Sequence, residues 1–282
     1  PPAALMATHA PRPAQEQPAG PPNAARVAPQ TGDVFCSREM VFTLAAFLPH
    51  EDVLGLSAAS RFSRGPAVSA LSGRGADFYV VGGCAGLAAT ARAERLSAAS
   101  GRWEALPPME HRRFGAVAAA IRGRFYVCGG CGGGGLAERY GGEGPNLRSA
   151  ERFDPWESRW EALPEMLEPR RGAAGASLGG RLYVCGGEGG CDGAYVLNSV
   201  ERFDPELECW EALPPMRAHR FAAAAAACGG RLCVLGGSMG VDALCAAEIY
   251  NPDEGQWEDL PDLLEPRAGG AALAARGPGS AA

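Results

Sequence analysis

The sequence predicts an all-β protein built as a β-propeller, and three observations predict it. Trp103, Trp160, Trp210 and Trp257 each lie nine residues after a glutamate (Glu94, Glu151, Glu201, Glu248) and ten before an arginine (Arg113, Arg170, Arg220, Arg267). The first three also lie 26 residues before a glycine pair, Gly129-Gly130, Gly186-Gly187 and Gly236-Gly237, and Gly82-Gly83 completes the set. Each unit of about 50 residues contains short strand-like runs cut by Gly and Pro, without an amphipathic helical run. A unit of this kind buries its apolar face only against the next copy, and small antiparallel sheets repeated radially make a propeller.

The third copy shows the elements in order. Ala173 to Leu178 is a small-residue strand suited to the crowded centre, as is Ala222 to Ala227 in the fourth copy. Arg181 to Cys185 is β-branched and aromatic and stops at the glycine pair, which tolerates close backbone approach and positive φ. Ser199 to Phe203 ends at Asp204-Pro205, a turn pair whose proline removes a ladder donor. Cys209 to Leu213 is the fourth strand, closed by Pro214-Pro215. Each repeated tryptophan is expected to pack as an apolar plate between neighbouring blades.

From Asp77 to about Arg267 the chain resembles the kelch family. The resemblance rests on the glycine pairs, the run Glu-Arg-Phe-Asp-Pro (Glu151 to Pro155, Glu201 to Pro205), the tryptophans, and Pro-x-Met at Pro107 to Met109, Pro164 to Met166 and Pro214 to Met216. Copy one departs with Leu96-Ser97-Ala98, and copy four has Leu263 in place of the methionine. The expected organisation is four recognisable blades within 65–276 (about 65–106, 113–163, 170–213 and 220–260), a terminal strand 267–275, and a tail 277–282. Either the terminal strand closes onto the first blade or the chain is a fragment of a larger, incomplete ring; the missing initiator Met and the mid-repeat stop point to the fragment.

Only the stretch between glycine pair and glutamate changes length. It spans 10 residues in copies one and four, 13 in copy three and 20 in copy two, Cys131 to Ala150. In an up-and-down sheet these loops share a face with the fourth-to-first connections that carry the arginines, and loops on a rigid scaffold commonly bind partners. Arg112, Arg113, Arg170, Arg171, Arg220 and Arg267 are the candidate partner-binding set. One reading ties blades together through Glu94, Glu151, Glu201 and Glu248. The other is a ring of guanidinium groups that captures an acidic peptide, which the family's habit of binding peptides on this face supports. Repetition in every blade favours the first.

Residues 1–32 are rich in Pro and Ala and are expected to be disordered. From 33 to 64 apolar residues recur at helical spacing (Met40, Val41, Leu44, Phe47, Leu48). The run FLPHEDVLGLSAASRF resembles the second half of an F-box, although the opening Leu-Pro of that family is replaced by Phe35-Cys36-Ser37. The resemblance implies a helical segment that docks a Skp1-like adaptor of a cullin-RING ubiquitin ligase, through Phe47, Leu48, Pro49, Asp52, Val53, Leu54 and Leu56. The alternative is a helical cap. Ser63 to Gly73 reads equally well as the first strand of the first blade.

Ten cysteines without a secretory signal imply a reducing compartment, cytoplasmic or nuclear. Cys128-Gly-Gly-Cys131 lacks a second ligand pair and reads as packing, so no metal site is expected. His111 and His219 lack catalytic spacing, and Gly132 to Gly135 lacks the Gly-Lys-Ser/Thr of a phosphate loop. No cofactor and no enzyme activity are expected. Net charge of −6 with no basic block argues against nucleic acid, and no apolar run is long enough for a membrane span. The chain has no lysine, in keeping with a coding bias that also favours Ala, Gly and Pro. The function expected is a protein-interaction adaptor that recruits a substrate to a cullin-RING ligase; the alternative is a kelch scaffold for a cytoskeletal or signalling partner.

Overall fold

Among the described residues four antiparallel sheets of four strands each follow one another along the chain. The computed structural model describes residues 44–46, 77–85, 88–133, 144–190, 195–272 and 274, all within the unit Arg38–Ala282. Blade 1 contains β1 (Leu44–Ala46), β2 (Phe78–Val81), β5 (Ala93–Ser97) and β6 (Arg102–Leu106), with a small hairpin β3 (Cys84–Ala85) and β4 (Ala88–Ala89) between β2 and β5. Blade 2 contains β7 (Val117–Ile121), β8 (Arg124–Cys128), β9 (Ala150–Asp154) and β10 (Arg159–Leu163). Blade 3 contains β11 (Ala174–Leu178), β12 (Arg181–Cys185), β15 (Val200–Asp204) and β16 (Cys209–Leu213), with a hairpin of β13 (Glu188–Gly189) and β14 (Tyr195–Val196). Blade 4 contains β17 (Ala224–Cys228), β18 (Arg231–Leu235), β19 (Ala247–Asn251) and β20 (Gln256–Leu260). Strands pair in chain order within every blade, and first strands lie side by side: β1 near β7, β7 near β11, β11 near β17. The small side chains of VAAAI, AGASL and AAAAC permit that approach.

Burial sits between blades rather than within one sheet. Tyr79, Val81 and Met109 of blade 1 pack with Phe125, Phe153 and Trp160 of blade 2. Val117, Tyr126 and Met166 meet Leu182, Phe203 and Trp210 across the next junction, and Tyr183, Val200 and Met216 meet Leu232, Tyr250 and Trp257 across the third. Each of these tryptophans packs at a tilt against the aromatic residue facing it on its own third strand, with centroids 5.1 Å apart for Phe153–Trp160 and Phe203–Trp210 and 5.2 Å for Tyr250–Trp257. Each indole also donates to the preceding blade, to the carbonyl of Pro107, Pro164 or Pro214, at 2.8 to 2.9 Å. One side chain thus supplies apolar area and a directional bond across the same junction. Trp103 differs: it faces Leu96 rather than an aromatic ring, and it is 52% exposed.

Within the segment 33–64, where the sequence predicts helix, Leu44–Ala46 is instead a strand, paired antiparallel with Phe78 to Val80. The edge of β2 offers backbone donors and acceptors that need partners, and this pairing outweighs a short helical periodicity. Phe47, Leu48, Pro49, Asp52, Val53, Leu54 and Leu56 lie outside the described residues, as do Ser63 to Gly73 and residues 1–32. The edge of β2 is therefore filled from further upstream than the alternative at Ser63 to Gly73 supposed.

Other boundaries differ from expectation: the third copy's first and third strands run Ala174–Leu178 and Val200–Asp204, one residue later at the start than expected. The fourth copy's first strand begins at Ala224 rather than Ala222, because Ala222 adopts φ 51° and donates its N–H to the Gly172 carbonyl. Arg267 to Ala272 forms no strand where a terminal strand 267–275 is expected.

Copy one's departure from Phe-Asp-Pro is compensated locally. In blades 2 and 3 the aspartates Asp154 and Asp204 accept from two backbone amides of the following turn and from Arg124 or Arg181. In blade 1 the serine Ser97 stands at the aspartate's place and Asp77 at the arginine's. The carboxylate of Asp77 accepts from Ala98 N–H at 2.8 Å, so the acid has moved to the neighbouring strand.

Candidate partner-binding face

The connections from second to third strand and from fourth to first strand emerge on one side of the blades, as the up-and-down order requires. The arginines lie there, but three of them turn inward. Arg113, Arg170 and Arg220 are 0%, 2% and 0% exposed. Arg113 pairs with Glu151 at 2.6 Å, Arg170 with Glu201 at 2.6 Å and Arg220 with Glu248 at 2.8 Å, and these carboxylates are buried too. Each guanidinium also donates to the first glycine of its blade's pair, at the carbonyls of Gly129, Gly186 and Gly236. A further carbonyl accepts from each: Ser149, Ser199 and Ala246.

The glutamates are satisfied from the loop that carries the arginine. Glu151 accepts from Glu110 and His111 amides, Glu201 from Leu167, and Glu248 from Arg217 and Ala218. A buried ion pair persists only with such additional hydrogen bonds, because desolvation otherwise outweighs the attraction. The arginine backbone faces the other way. Carbonyls of Arg113, Arg170, Arg220 and Arg267 accept from the second glycine of the preceding blade, at 2.7 to 2.8 Å. Arg113, Arg170 and Arg220 therefore each join two blades, the main chain to the one before and the side chain to its own. These three side chains belong to the architecture, which corrects their place in the candidate binding set.

The other three candidates remain near solvent. Arg112 is exposed, with no ion pair among the described residues. Arg171 pairs with Glu188 across an isolated bridge at the head of blade 3. Arg267 is exposed and lies 3.2 Å from Glu265. A guanidinium ring at the channel mouth is thus not formed, and the acidic-peptide expectation loses its main support. Large apolar side chains are exposed on this face instead: Leu167 and Leu264 in fourth-to-first connections, Tyr195, Met239 and Val241 in second-to-third loops. On the opposite side Trp156 and Leu207 are 75% and 73% exposed in turns from third to fourth strand.

Sequence reasoning missed two features. The first is a backbone belt beside the arginines: Gly172 N–H donates to Gly115 carbonyl, Ala222 to Gly172, and Gly269 to Ala222, each at 2.8 Å. It leaves no mark in side-chain identity beyond the small residue two places after each arginine. The second is the serine that orders the arginine. Ser149 and Ser199 accept from Arg113 and Arg170 at 3.0 Å through their hydroxyls, and the pattern Ser-x-Glu was legible in both copies.

The cysteines are dispersed through the packing. Cys128 and Cys185 are buried, and burial pushes both thiols up to about 12. Cys131 is also raised by burial and donates to the Gly144 carbonyl at 2.7 Å. Among the described residues no group of three or more His, Cys, Asp or Glu side chains is placed to hold a metal ion. No helix among them is long and apolar enough to cross a membrane.

Fold and junctions together define a β-propeller repeat protein whose blades are tied by buried Arg–Glu pairs and indole–carbonyl bonds. The chain belongs to the Kelch motif family, which it matches over residues 112–167, 169–217 and 219–264, more than half of its length. It is 30% identical over 112 residues to F-box/kelch-repeat protein At1g67480 of Arabidopsis thaliana, covering 38% of this chain and 27% of that protein. It is 30% identical over 109 residues to Kelch-like protein 35 of Mus musculus, covering 39% of this chain and 17% of that protein. The matched part is thus well under half the length of either relative. The solved structure of YjhT superposes with a TM-score of 0.58 at 18% identity, over 68% of this chain and 64% of that one, a likeness of fold. Kelch repeats form protein-interaction domains, and the fold is in general a binding rather than a catalytic one.

Proposed function

We propose that the chain is a substrate-recruiting adaptor of a cullin-RING ubiquitin ligase, in which the blades hold a target protein and residues 33–64 engage a Skp1-like subunit. The observation that carries the binding half is the placement of Leu167, Tyr195, Met239, Val241 and Leu264, exposed on the loop side of a scaffold whose repeated arginines are already consumed by internal pairs. Exposed apolar side chains gathered on one side mark interaction surfaces. The target is therefore a protein segment carrying bulky apolar anchors, with the exposed Arg112 placed to meet an acidic residue beside them. The ligase half is supported by the F-box-like run from Phe47 to Phe62 and by the similarity to an F-box/kelch-repeat protein. Such a protein performs no chemistry; it raises the effective concentration of a target near a ligase.

A binding assay between the purified chain and a Skp1-type adaptor tests this reading, with a variant lacking only the F-box-like run 47–62 as comparison. Binding by the full chain and its loss in the shortened one is the expected result. Failure of a folded full chain to bind leaves the second reading, a kelch scaffold for a cytoskeletal or signalling partner, which shares the loop face and differs only in residues 35–64.

A further inference from the structure

The third-to-fourth turns of blades 2, 3 and 4, on the side opposite the loop face, share one backbone and differ in what they present. The Asp154 carboxylate accepts from the Trp156 and Glu157 amides, and Asp204 accepts from those of Glu206 and Leu207. The Asn251 side chain accepts from the Asp253 amide, and the residue before each fourth strand has positive φ: Ser158, Glu208 and Gly255. The backbone is thus held while the projected side chains vary. Trp156 stands out from blade 2 and Leu207 from blade 3, both exposed, and blade 4 has exposed Asp253 and Glu254. Tryptophan is on average a well-buried side chain. The turn itself does not require one at 156, where the equivalent residues are Glu206 and Asp253. The two apolar turns are also tied together. Glu206 and Glu208, on either side of Leu207, pair with Arg122 and Arg152 of blade 2, the second at 3.4 Å. Charge within the turns has one sign. Residues 155–158, 205–208 and 252–255 hold Glu157, Glu206, Glu208, Asp253 and Glu254 and no basic residue. The arginines flanking them, Arg122, Arg124, Arg159 and Arg181, are each paired with a carboxylate. Asp253 and Glu254 have no ion pair among the described residues.

We propose that this turn side is a second protein-binding surface, which takes a basic segment of a partner protein carrying a bulky apolar anchor. The anchor packs on Trp156 and Leu207, and lysine or arginine side chains of the segment reach Asp253 and Glu254. Two observations select this occupant. An exposed indole on a held turn, with a leucine on the turn tied beside it, offers large apolar area at little ordering cost. The carboxylates at blade 4 favour a cation and oppose an acidic segment. The loop face has the opposite preference, because its apolar side chains stand beside the exposed Arg112. The two sides therefore sort partners by charge, and one chain can hold two proteins at once. None of the residues used here belongs to the loop face or to 33–64, so the inference stands apart from the ligase reading.

Selection of phage-displayed random peptides on the folded 282-residue chain tests the proposal, with the same selection on Trp156→Ser/Leu207→Ser as comparison. The expected result is a set of peptides, enriched on the parent chain alone, that combine Trp, Phe or Leu with Lys or Arg. For a synthetic peptide from that set, Trp156→Ser should weaken binding at least about tenfold. Asp253→Asn/Glu254→Gln should weaken it about threefold, by an amount that shrinks as salt is raised. All four side chains are exposed, so circular dichroism should show the variants folded. The proposal is overturned if every enriched peptide binds parent and variant equally, or if those lost from the variant are acidic. Absence of any enriched peptide overturns it too; Trp156 fluorescence that acrylamide fails to quench then assigns the cover to other residues of the chain. Self-association in sedimentation that disappears with Trp156→Ser makes a second copy the occupant and overturns it as well.

Discussion

Arg170 and Glu201 meet at 2.6 Å with both side chains removed from solvent, and the carboxylate also takes the Leu167 amide. The same guanidinium reaches the Gly186 and Ser199 carbonyls, so one side chain joins a connecting loop to the second and third strands of its blade. The arginine at this place in blades 2, 3 and 4 is therefore a fastening.

Removing either partner strands the other charge in the interior. Glu201→Ala should cost about 3–5 kcal/mol in urea unfolding, the range for breaking a buried pair. Glu94→Ala, at the exposed equivalent, should change stability by no more than about 0.5 kcal/mol. Equal losses at the two sites would contradict the assignment.

Gly186 has φ 63°, and a Cβ placed there would lie 2.3 Å from the Arg220 carbonyl oxygen. Gly186→Ala should therefore destabilise by more than about 2 kcal/mol, combining left-handed strain with a backbone clash. Gly229 has φ 58° with nothing within 4 Å of the added carbon, so Gly229→Ala should cost only about 1 kcal/mol. Chemical denaturation of the two variants side by side checks the order.

Thiol chemistry should divide the cysteines by burial. At pH 8 Cys209 and Cys228, both exposed, should be alkylated by iodoacetamide in the native protein. Cys128 and Cys185, with thiols at about 12, should react only after unfolding. Peptide mapping after a timed pulse distinguishes the sets, and early labelling of Cys185 would contradict the packing described.

The Arg181 guanidinium, with the Glu206 and Leu207 amides, holds the Asp204 carboxyl below its ordinary range. The folded state then binds this proton less readily than the unfolded chain does. The stabilisation is present above the unfolded pKa, near 4, and is lost as pH falls through the lower folded value. Thermal melting followed from pH 6 downward should show Tm falling more steeply below about pH 4 for the parent than for Asp204→Asn.

The sequence by itself determined the repeat, and with it the blade. Trp160, Gly186 and Pro214 hold their spacing because a four-stranded meander needs a plate, a close backbone approach and a stop at those points, and each requirement is local enough to show in one copy. What the sequence left open was direction. Arg113 and Arg112 are adjacent and chemically identical, yet one is buried on Glu151 and the other is exposed. That difference depends on where a carboxylate and three backbone groups from other strands converge, which spacing along the chain does not encode. The same holds for Glu94 and Arg267, which carry the repeat's identity but stand exposed, because the buried place of such a residue is completed only by the blade beside it.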